Sequence, residues 1–464
     1  MSDHARLRSA VAGSPPLTGR IEPWLADLLA DAPACSALLE EHGSPVNVIE
    51  PALLARNAAD LVEAGASRGV EVRVRFARKA NKALALVSAA SAAGHGVDVA
   101  SLAELRQVLD LGVPSDRIIL SAAVKPPALL DLAVRGGVTV SLDTVDELSA
   151  TAETAARCGR TAIVAPRVAP RGLRPTRFGE LAGRWADVLG GGRVAGVEVA
   201  GLHVHLSGYR AADRVLALAD CLSLLDRLVA AGHRPVMIDL GGGVPMSYLD
   251  DGSQWAAFWS AMREPHAPEA LTWRDRPLDV VYPYFQSPVR GEWLAGVLDA
   301  TVPGVGQTAA CALRTRGLAL QLEPGRALLD GCGATLARVA FVKTRSDGVP
   351  LVGLEMNRTQ CRSTSDDFLV DPILVKASPP TEAFSGFLVG AYCVEDELIL
   401  ARRLRFPHGV APGDEVALVN TGGYLMHILE SASHQIPLAL NVVRRPGGFE
   451  RDAIDSVTTN PRPG

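Results

Sequence analysis

Between positions 72 and 322, segments with the hydrophobic pattern of a strand alternate with segments that have the pattern of a helix. Short apolar, β-branched-rich runs predict eight strands, at 72–77, 97–99, 118–120, 138–142, 162–168, 201–206, 236–240 and 318–322. Most are separated by segments such as 82–92, 102–111 and 211–231, where apolar residues recur with the period of a helix. Eight β/α units predict an α/β fold, a closed (β/α)8 TIM-type barrel. An open, doubly wound sheet is the competing interpretation.

The pattern changes after residue 330. Apolar runs at 335–343, 398–404 and 415–419 are separated by Gly, Pro and Asp turns, which is typical of a small β-rich domain. A lead-in strand at 44–49 suggests that the N-terminal segment joins it. We therefore predict a barrel at 46–330, a β-rich domain from 1–45 and 331–445, and a disordered, polar tail at 446–464.

A long segment at 246–316 separates the seventh and eighth predicted strands. It is longer than an ordinary connection. It contains four of the six tryptophans, at 255, 259, 273 and 293, and the run Tyr-Pro-Tyr-Phe at 282–285. One interpretation is a folded cap that shapes a substrate pocket at the barrel mouth. The other is a packing insert or a dimer contact.

Composition excludes several classes of protein. The chain has 464 residues, of which 48% are apolar, enough for two domains and a large core. The net charge of −5 and the lack of a basic run argue against nucleic acid as a partner. No run of about 18 apolar residues predicts a membrane span. Seven dispersed cysteines without a CxxC motif favour a reducing compartment, so we expect a cytoplasmic protein.

Four motifs follow or end predicted strands in a fixed order. They are Phe-Ala-Arg-Lys-Ala-Asn at 76–81, Gly-Leu-His-Val-His at 201–205, Gly-Gly-Gly at 241–243 and Glu-Pro-Gly-Arg at 323–326. In a barrel, all four would lie at the C-terminal mouth, where barrel enzymes carry their chemistry. A lysine, a histidine, a glycine turn and an acid–arginine pair can together hold an anionic aromatic cofactor.

Lys79 is the candidate nucleophile. It directly follows a buried strand, so we expect desolvation to favour its neutral amine. A neutral amine can form a Schiff base with an aldehyde. An ordinary loop lysine is the alternative if the motif is considered alone.

The two histidines of the second motif have two interpretations. His203 and His205 are two residues apart on a strand and therefore face the same side. They could form a metal pair, although a zinc site would need further ligands. Alternatively, His205 stacks on a heteroaromatic ring, and His203 is a satisfied core histidine.

The remaining motifs suggest how an anionic ring could be held. The glycines at 241–243 allow close backbone approach and can aim N–H groups at a phosphate. Gly325 and Arg326 can complete a phosphate cradle, and Glu323 can keep a ring nitrogen protonated. Further on, Cys393 is either a buried inert thiol or a proton donor to a carbanion, and Tyr424 could donate its hydroxyl to a phosphate.

Together these residues resemble the fold-type III, pyridoxal-phosphate-dependent decarboxylases, the group of diaminopimelate and ornithine decarboxylases. The resemblance spans roughly residues 40–440 and implies an alanine racemase/ornithine decarboxylase-like barrel with a β-rich domain. It implies pyridoxal 5'-phosphate as cofactor, an amino acid or amino-acid derivative as substrate, and a homodimer with shared active sites. It assigns the Schiff base to Lys79 and a partner-donated thiol to Cys393. The cofactor contacts that it implies are Lys79, Asp98, His205, Gly241, Gly242, Gly243, Glu323, Gly325, Arg326 and Tyr424.

The chain departs from the family pattern where the substrate would bind. Val394 replaces the acidic residue that usually follows the cysteine, although acids occupy 395–397. Ser207 and Gly208 reverse the usual Gly-Ser order, and an arginine–proline–tyrosine segment is hard to find near residues 356–362. We therefore predict a divergent decarboxylase and do not expect meso-diaminopimelate as its substrate. The nearest alternative is a racemase or epimerase with the same cofactor; a metal-dependent hydrolase and a non-catalytic binder are more distant ones.

Overall fold

The computed structural model describes residues 7–278, 280–363, 368–375, 378–379 and 381–456. Within these ranges the strands form a nine-stranded parallel sheet and a ten-stranded mixed sheet. The N-terminal segment contains strand β1 (Ala12–Gly13), the helices Pro23–Ala30 and Ala32–His42, and strand β2 (Val46–Ile49). Strand β2 pairs with strands of the mixed sheet. The predicted barrel boundary at residue 46 is therefore too early.

The parallel sheet alternates with helices along the chain. Its strands are β3 (Val72–Ala77), β4 (Gly96–Val99), β5 (Ile118–Leu120), β6 (Thr139–Leu142), β7 (Ala162–Pro166), β8 (Val197–Val199), β9 (Gly201–His203), β10 (Met237–Asp239) and β11 (Ala319–Leu322). The helices are Ala52–Ala66, Leu84–Ala92, Leu102–Asp110, Pro127–Gly136, Val145–Cys158, Ala182–Leu189, Ala211–Ala230, Gly252–Arg263, Arg290–Asp299 and Ala309–Thr315. Most strand residues are buried, as expected when helices cover a parallel sheet.

The sheet closes into a barrel at the end of β7. The strand order is β8-β7-β6-β5-β4-β3-β11-β10-β9, and only Ala200 separates β8 from β9. Beyond β7, Arg167 bridges His203 of β9, and the Val168 N–H donates to the His203 carbonyl at 2.8 Å. The predicted barrel is thus confirmed, and the open sheet is excluded. The bounds predicted for the sixth strand, 201–206, are wrong. Two short strands, β8 and β9, occupy this place; Ala200 separates them, and β9 ends at His203.

The second domain is a β-rich layer built around strand β12. Its strands are β12 (Gly333–Thr344), β13 (Pro350–Leu354), β14 (Ile373–Val375), β15 (Phe384–Val389), β16 (Leu404–Phe406), β17 (Glu415–Val419), β18 (Leu440–Arg445) and β19 (Gly448–Arg451). Strand β12 pairs with β2, β13 and β17. Short 3-10 turns lie at Arg78–Ala80, Ser115–Arg117, Trp273–Asp275, Arg358–Gln360, Ser433–Gln435 and Ala453–Ser456. The chain thus folds its N-terminal strands and the strands after residue 332 into one sheet.

The predicted disordered tail is ordered as far as residue 456. Strand β19 pairs with β18 in an antiparallel hairpin. The Asp452 carboxylate accepts the N–H groups of Leu84 and Ala85, each at 2.9 Å, and so ties the tail to a barrel helix. The prediction of disorder from residue 446 is therefore wrong for 446–456, and residues 457–464 lie outside the described part of the chain.

The segment 246–316 connects the barrel to the β-rich layer. Trp273 packs edge-on against Phe387 with ring centroids 5.3 Å apart. The backbone N–H of Trp273 donates to the Ala401 carbonyl at 2.9 Å. At the barrel end, Tyr282 packs between Tyr248 and Tyr209, with centroids about 5.5 Å from each. The segment is therefore a packing element over most of its length, and Tyr282 is its contribution to the barrel mouth.

Two predictions from composition can be compared with the structure. All seven cysteines are free thiols. Among the described residues, no helix has both the length and the apolar character that crossing a membrane requires.

Candidate active site

The four motifs meet at one end of the barrel. Lys79 lies in the 3-10 turn that follows β3, and Gly241–Gly243 follow β10. His205 lies two residues beyond β9, and Glu323 directly follows β11. The C-terminal ends of parallel barrel strands point to the same rim, and the contacts described below join all four motifs into one site.

Lys79 is held by an acid from the neighbouring strand. Its Nζ lies 3.2 Å from Oδ2 of Asp98, a fully buried residue of β4 whose other oxygen accepts a hydrogen bond from Ser121. Burial alone would lower the pKa of Lys79, but the Asp98 carboxylate outweighs it, with help from Glu323, so the pKa lies above its ordinary value. The expectation of a neutral amine is therefore wrong for this ionic pair.

Burial also acts on the acid of this pair. Desolvation and the nearby Glu323 charge raise the pKa of Asp98 to about 6, although Lys79 and Ser121 oppose the shift. The ammonium and the carboxylate thus stabilise each other's charged form. A reaction that needs the free amine must first break the Lys79–Asp98 pair.

The Glu323 carboxylate contacts both histidines of the second motif. Its Oε2 atom lies 3.3 Å from Nδ1 of His205 and 3.4 Å from Nε2 of His203. The other ring nitrogen of His203 bonds to Ser141 Oγ at 2.6 Å, so the residue is a buried, satisfied histidine on that side. Burial lowers the pKa of His205 to about 4, which makes it a neutral ring at pH 7.

The second oxygen of Glu323 is unusual. The carboxylate is 99% buried, yet Oε1 has no hydrogen-bond partner among the described residues. The histidines and Lys79 outweigh its burial and hold the pKa of Glu323 well below its ordinary value. A buried carboxylate oxygen without a donor is unfavourable. The site therefore presents a charged acceptor to a donor that the protein does not supply.

A series of hydrogen bonds between buried polar side chains holds the glycine turn in place. Gly241 and Gly243 have φ of +64° and +72°, a region that favours glycine. The Gly241 N–H donates to Asp239 Oδ1 at 2.7 Å, and Asp239 Oδ2 accepts from the Gln321 amide. Gln321 in turn accepts from Arg75 Nε at 3.0 Å. Burial and the Glu323 charge raise the pKa of Asp239 to about 7.

The last motif meets the β-rich domain at Tyr424. A Cβ on Gly325 would lie 2.5 Å from the Tyr424 hydroxyl, so only glycine allows this approach. Tyr424 is fixed by its own N–H, which donates to the Ala80 carbonyl at 2.7 Å. Arg326 donates to Tyr248 Oη at 2.9 Å and to Ser363 Oγ at 3.1 Å. Arg326 is thus already held in place by the protein beside Tyr424.

A cavity of about 580 Å³ opens between these groups. Its walls include His205, Gly243, Arg326 and Tyr424 from the predicted set. Sequence reasoning placed Tyr282 only within the segment that could shape a pocket. It missed the other polar and aromatic walls, which are Arg174, Thr176, Arg177, Phe178, Ser207, Tyr209, Asp213 and Ser363. The aromatic run at 282–285 was the available signal for Tyr282. No local pattern marked the loop at 173–178, which reaches the cavity through the course of the backbone after β7.

Cys393 lies outside this cavity. It is exposed in a turn that follows β15, so the interpretation as a buried, inert thiol is excluded. The acids that follow have partners in the same chain: Asp396 pairs with the Arg276 guanidinium at 2.8 Å, and Glu397 accepts a hydrogen bond from the backbone N–H of Arg358 at 2.7 Å. A single chain thus leaves its thiol on the surface, outside the cavity.

The metal interpretation gains a third ligand. Donor atoms of His203, His205 and Glu323 all lie within 4.8 Å of one another. Two imidazoles and one carboxylate form a recognised ligand set for a divalent metal. The same arrangement also suits a protonated ring nitrogen, because Glu323 Oε1 is an acceptor without a donor.

Known proteins with similar sequences and folds bear on this choice. The family model "Pyridoxal-dependent decarboxylase, pyridoxal binding domain" matches residues 56–268. The chain is 34% identical to the uncharacterized protein y4yA of Sinorhizobium fredii, over 92% of this chain and 93% of that protein. It is 27% identical to diaminopimelate decarboxylase of Pseudomonas fluorescens, over 86% and 87% of the two chains. Diaminopimelate decarboxylase from M. jannaschii, solved in co-complex with L-lysine, has the same fold, with a TM-score of 0.70 at 20% identity over 92% and 94% of the chains.

Proposed function

Because the chain belongs to the pyridoxal-dependent decarboxylases of the diaminopimelate and ornithine decarboxylase group, we propose that Lys79 is the amine that binds its cofactor covalently. The protein is a carboxy-lyase that uses pyridoxal 5'-phosphate, and its substrates belong to the amino acids. We further propose that it removes the α-carboxylate from one amino acid or amino-acid derivative that fits the cavity beside His205 and Arg326.

The residues at the barrel mouth fit this cofactor. An aldehyde needs an amine, which Lys79 supplies. A protonated pyridine nitrogen needs a buried acceptor, and Glu323 Oε1 is such an acceptor without a donor. A phosphate needs backbone N–H groups, and Gly243, whose φ is positive, lines the cavity while its N–H donates to no described part of the protein. The unpaired oxygen of Glu323 is the observation that best supports the proposal, because a protonated ring nitrogen would supply the donor that this oxygen lacks.

Each residue contributes a defined physical effect. When bound, the cofactor would supply an electron-poor pyridine ring that can accept the electron pair left on the substrate Cα when the carboxylate departs. Glu323 would keep the ring nitrogen protonated through its negative charge, and neutral His205 would not compete for that proton. Asp98 holds the Lys79 side chain at the rim of the barrel and balances its charge. The pairing also stores the proton that the amine must lose before it reacts.

Reprotonation of Cα needs an acid, and the resemblance to the family assigns that role to a thiol that a partner subunit donates. We propose that Cys393 of a second copy supplies the proton from its thiol, so that two chains form a homodimer with shared active sites. The exposure of Cys393 and of its neighbour Val394, 48% exposed, supports this arrangement, because a monomer would leave both in water.

Charge at the cavity mouth bears on the substrate. Arg174 and Arg177 line the mouth, and among the described residues neither forms an ion pair with a carboxylate. The Arg177 guanidinium instead lies 4.0 Å from the centre of the Phe178 ring. Unpaired arginines favour anionic ligands. We therefore propose a substrate with a second negatively charged group at its far end.

The test is release of carbon dioxide from the cofactor-loaded enzyme against L- and D-amino acids with acidic, neutral and basic far groups. The proposal predicts release from one acidic member, together with its amine, and loss of release in Lys79→Ala. Lys343→Ala, at an exposed position of β12, is the matched control. A change of handedness without carbon dioxide would establish a racemase, and activity that depends on bound zinc would establish the metal interpretation.

A further inference from the structure

The helix Ala211–Ala230 contains a buried arginine that the proposed mechanism does not use. Arg214 has no exposed surface, and its Nε and Nη1 atoms have no hydrogen-bond partner among the described residues. Among the described residues, the acid that acts on its charge is Asp213, which lines the cavity and pairs with Arg210 at 3.9 Å. Burial exceeds the effect of Asp213 and lowers the pKa of Arg214 to about 10. Its positive charge is therefore buried without a paired anion, which is unfavourable.

The remaining nitrogen of Arg214 joins the two loops that carry the second and third motifs. Its Nη2 donates to the Gly208 carbonyl at 2.7 Å, beyond β9. The same nitrogen lies 3.2 Å from the Gly242 carbonyl and 3.3 Å from the Gly243 carbonyl, beyond β10. A Cβ on Gly243 would lie 1.9 Å from Nη2, so the guanidinium can occupy this place only beneath a glycine.

These contacts fix the direction of the peptide groups. In a planar trans peptide, the carbonyl and the following N–H point in opposite directions. Because the carbonyls of residues 208, 242 and 243 turn toward Arg214, the N–H groups of Tyr209, Gly243 and Val244 point away from it. None of these three N–H groups donates to another described part of the protein. Tyr209 and Gly243 line the cavity.

We propose that Arg214 is a positioning residue for the phosphate group of the cofactor. It ties the loop after β9 to the glycine turn after β10 and directs their free N–H groups toward a single anion. It also supplies a buried positive charge that a phosphate dianion on the far side of the turn compensates. Arg214 acts through the turn and does not touch the phosphate itself.

The proposal rests on the cofactor assignment and is independent of the reaction. Its test compares the affinity of the apoenzyme for pyridoxal 5'-phosphate, for pyridoxal and for inorganic phosphate, followed by absorbance titration and by competition. Arg214→Met is the test variant. Arg227→Met is the matched control, because Arg227 is exposed on the same helix.

Arg214→Met is expected to weaken binding of pyridoxal 5'-phosphate and of inorganic phosphate about 10- to 100-fold, because the N–H groups of the turn lose their fixed direction and the anion loses a compensating charge. Pyridoxal, which lacks the phosphate, should bind within about twofold of wild type, and Arg227→Met should change none of the three affinities. An equal loss for pyridoxal and its phosphate would show that Arg214 merely supports the fold. Unchanged phosphate affinity would also overturn the proposal.

A second variant covers the case in which Arg214→Met does not fold. Arg214→Lys keeps the charge but cannot hold both loops, because an ammonium lacks the planar fork of a guanidinium. It should bind pyridoxal normally and lose part of the phosphate affinity, and an unchanged phosphate affinity would contradict the proposal. No turnover is measured, so failure here leaves the decarboxylase proposal intact. A protein that binds phosphate as expected but releases no carbon dioxide would contradict only that proposal.

Discussion

His205 and Glu323 share one hydrogen bond, from Nδ1 to Oε2 at 3.3 Å, which leaves the other carboxylate oxygen of Glu323 facing no described protein donor. A carboxylate can only accept, so the shared proton belongs to His205. The arrangement keeps Glu323 ionised and fixes the orientation of its carboxylate. One oxygen is therefore reserved for a donor that arrives with the cofactor.

Replacing Glu323 by glutamine tests this charge. A neutral amide cannot keep a pyridine nitrogen protonated, so kcat for carbon dioxide release should fall about 100- to 1,000-fold. The dissociation constant for the cofactor should change far less, because lysine and phosphate contacts remain. Glu198→Gln, at an exposed position of β8, is the control. A variant Glu323→Gln with wild-type kcat would exclude the proposed role.

Asp98→Asn should move the pH dependence of cofactor capture. Asp98 raises the pKa of Lys79, so its removal leaves burial dominant and lowers that pKa. The neutral amine then becomes available at lower pH, and the midpoint of capture should shift down by about one to two units. Stopped-flow absorbance of the apoenzyme mixed with pyridoxal 5'-phosphate across a pH series measures it. An upward shift would contradict the ion-pair assignment.

Gln321→Leu should destabilise the fold through the buried chain beneath the glycine turn. The change leaves Asp239 Oδ2 and Arg75 Nε without their partner, which costs about 2–4 kcal/mol in the free energy of unfolding. The loss should grow as pH rises through about 7, where Asp239 ionises and needs the amide donor most. Urea unfolding at several pH values measures it, with exposed Gln307→Leu as the control. Equal stability of the two variants would show that the chain has no such role.

Mixed dimers test the shared active site. Lys79→Ala and Cys393→Ala homodimers should each be nearly inactive. In a mixed dimer, one site receives both the native lysine and the native cysteine, so an equal mixture should regain about a quarter of wild-type activity. Carbon dioxide release after co-refolding of the two variants measures it. Absence of any recovery would mean that both residues act from one chain, and a fully active Cys393→Ala homodimer would mean that Cys393 is dispensable.

The sequence predicted most of the architecture because parallel barrel strands are buried on both faces and therefore read as short apolar runs. The strands Ile118–Leu120 and Glu415–Val419 were placed to the residue. Strand Val197–Val199 was missed because exposed Glu198 interrupts its apolar run. The tail after residue 445 was misjudged because its order comes from tertiary contacts that local polarity does not reveal, such as the bond from the Leu84 N–H of a distant helix to Asp452 of the tail.

The sequence motifs predicted which residues meet at the site, but they did not predict the ionic states of those residues. The motif order placed Lys79, His205 and Glu323 at strand ends. The ionic state of Lys79 depended on Asp98 from another strand, and burial alone suggested the opposite. Arg214 carried no signal, because one arginine in a helical pattern is ordinary until the fold brings it under Gly243.

Reduction of the cofactor-loaded protein with borohydride, followed by peptide mass spectrometry, tests the central assignment most directly. The reduction fixes the cofactor to the lysine that holds it, and the chain has only five lysines, at 79, 82, 125, 343 and 376. We expect one phosphopyridoxyl group per chain, located on Lys79. A label on any other lysine, or no label on a protein that shows the cofactor absorbance, would contradict it.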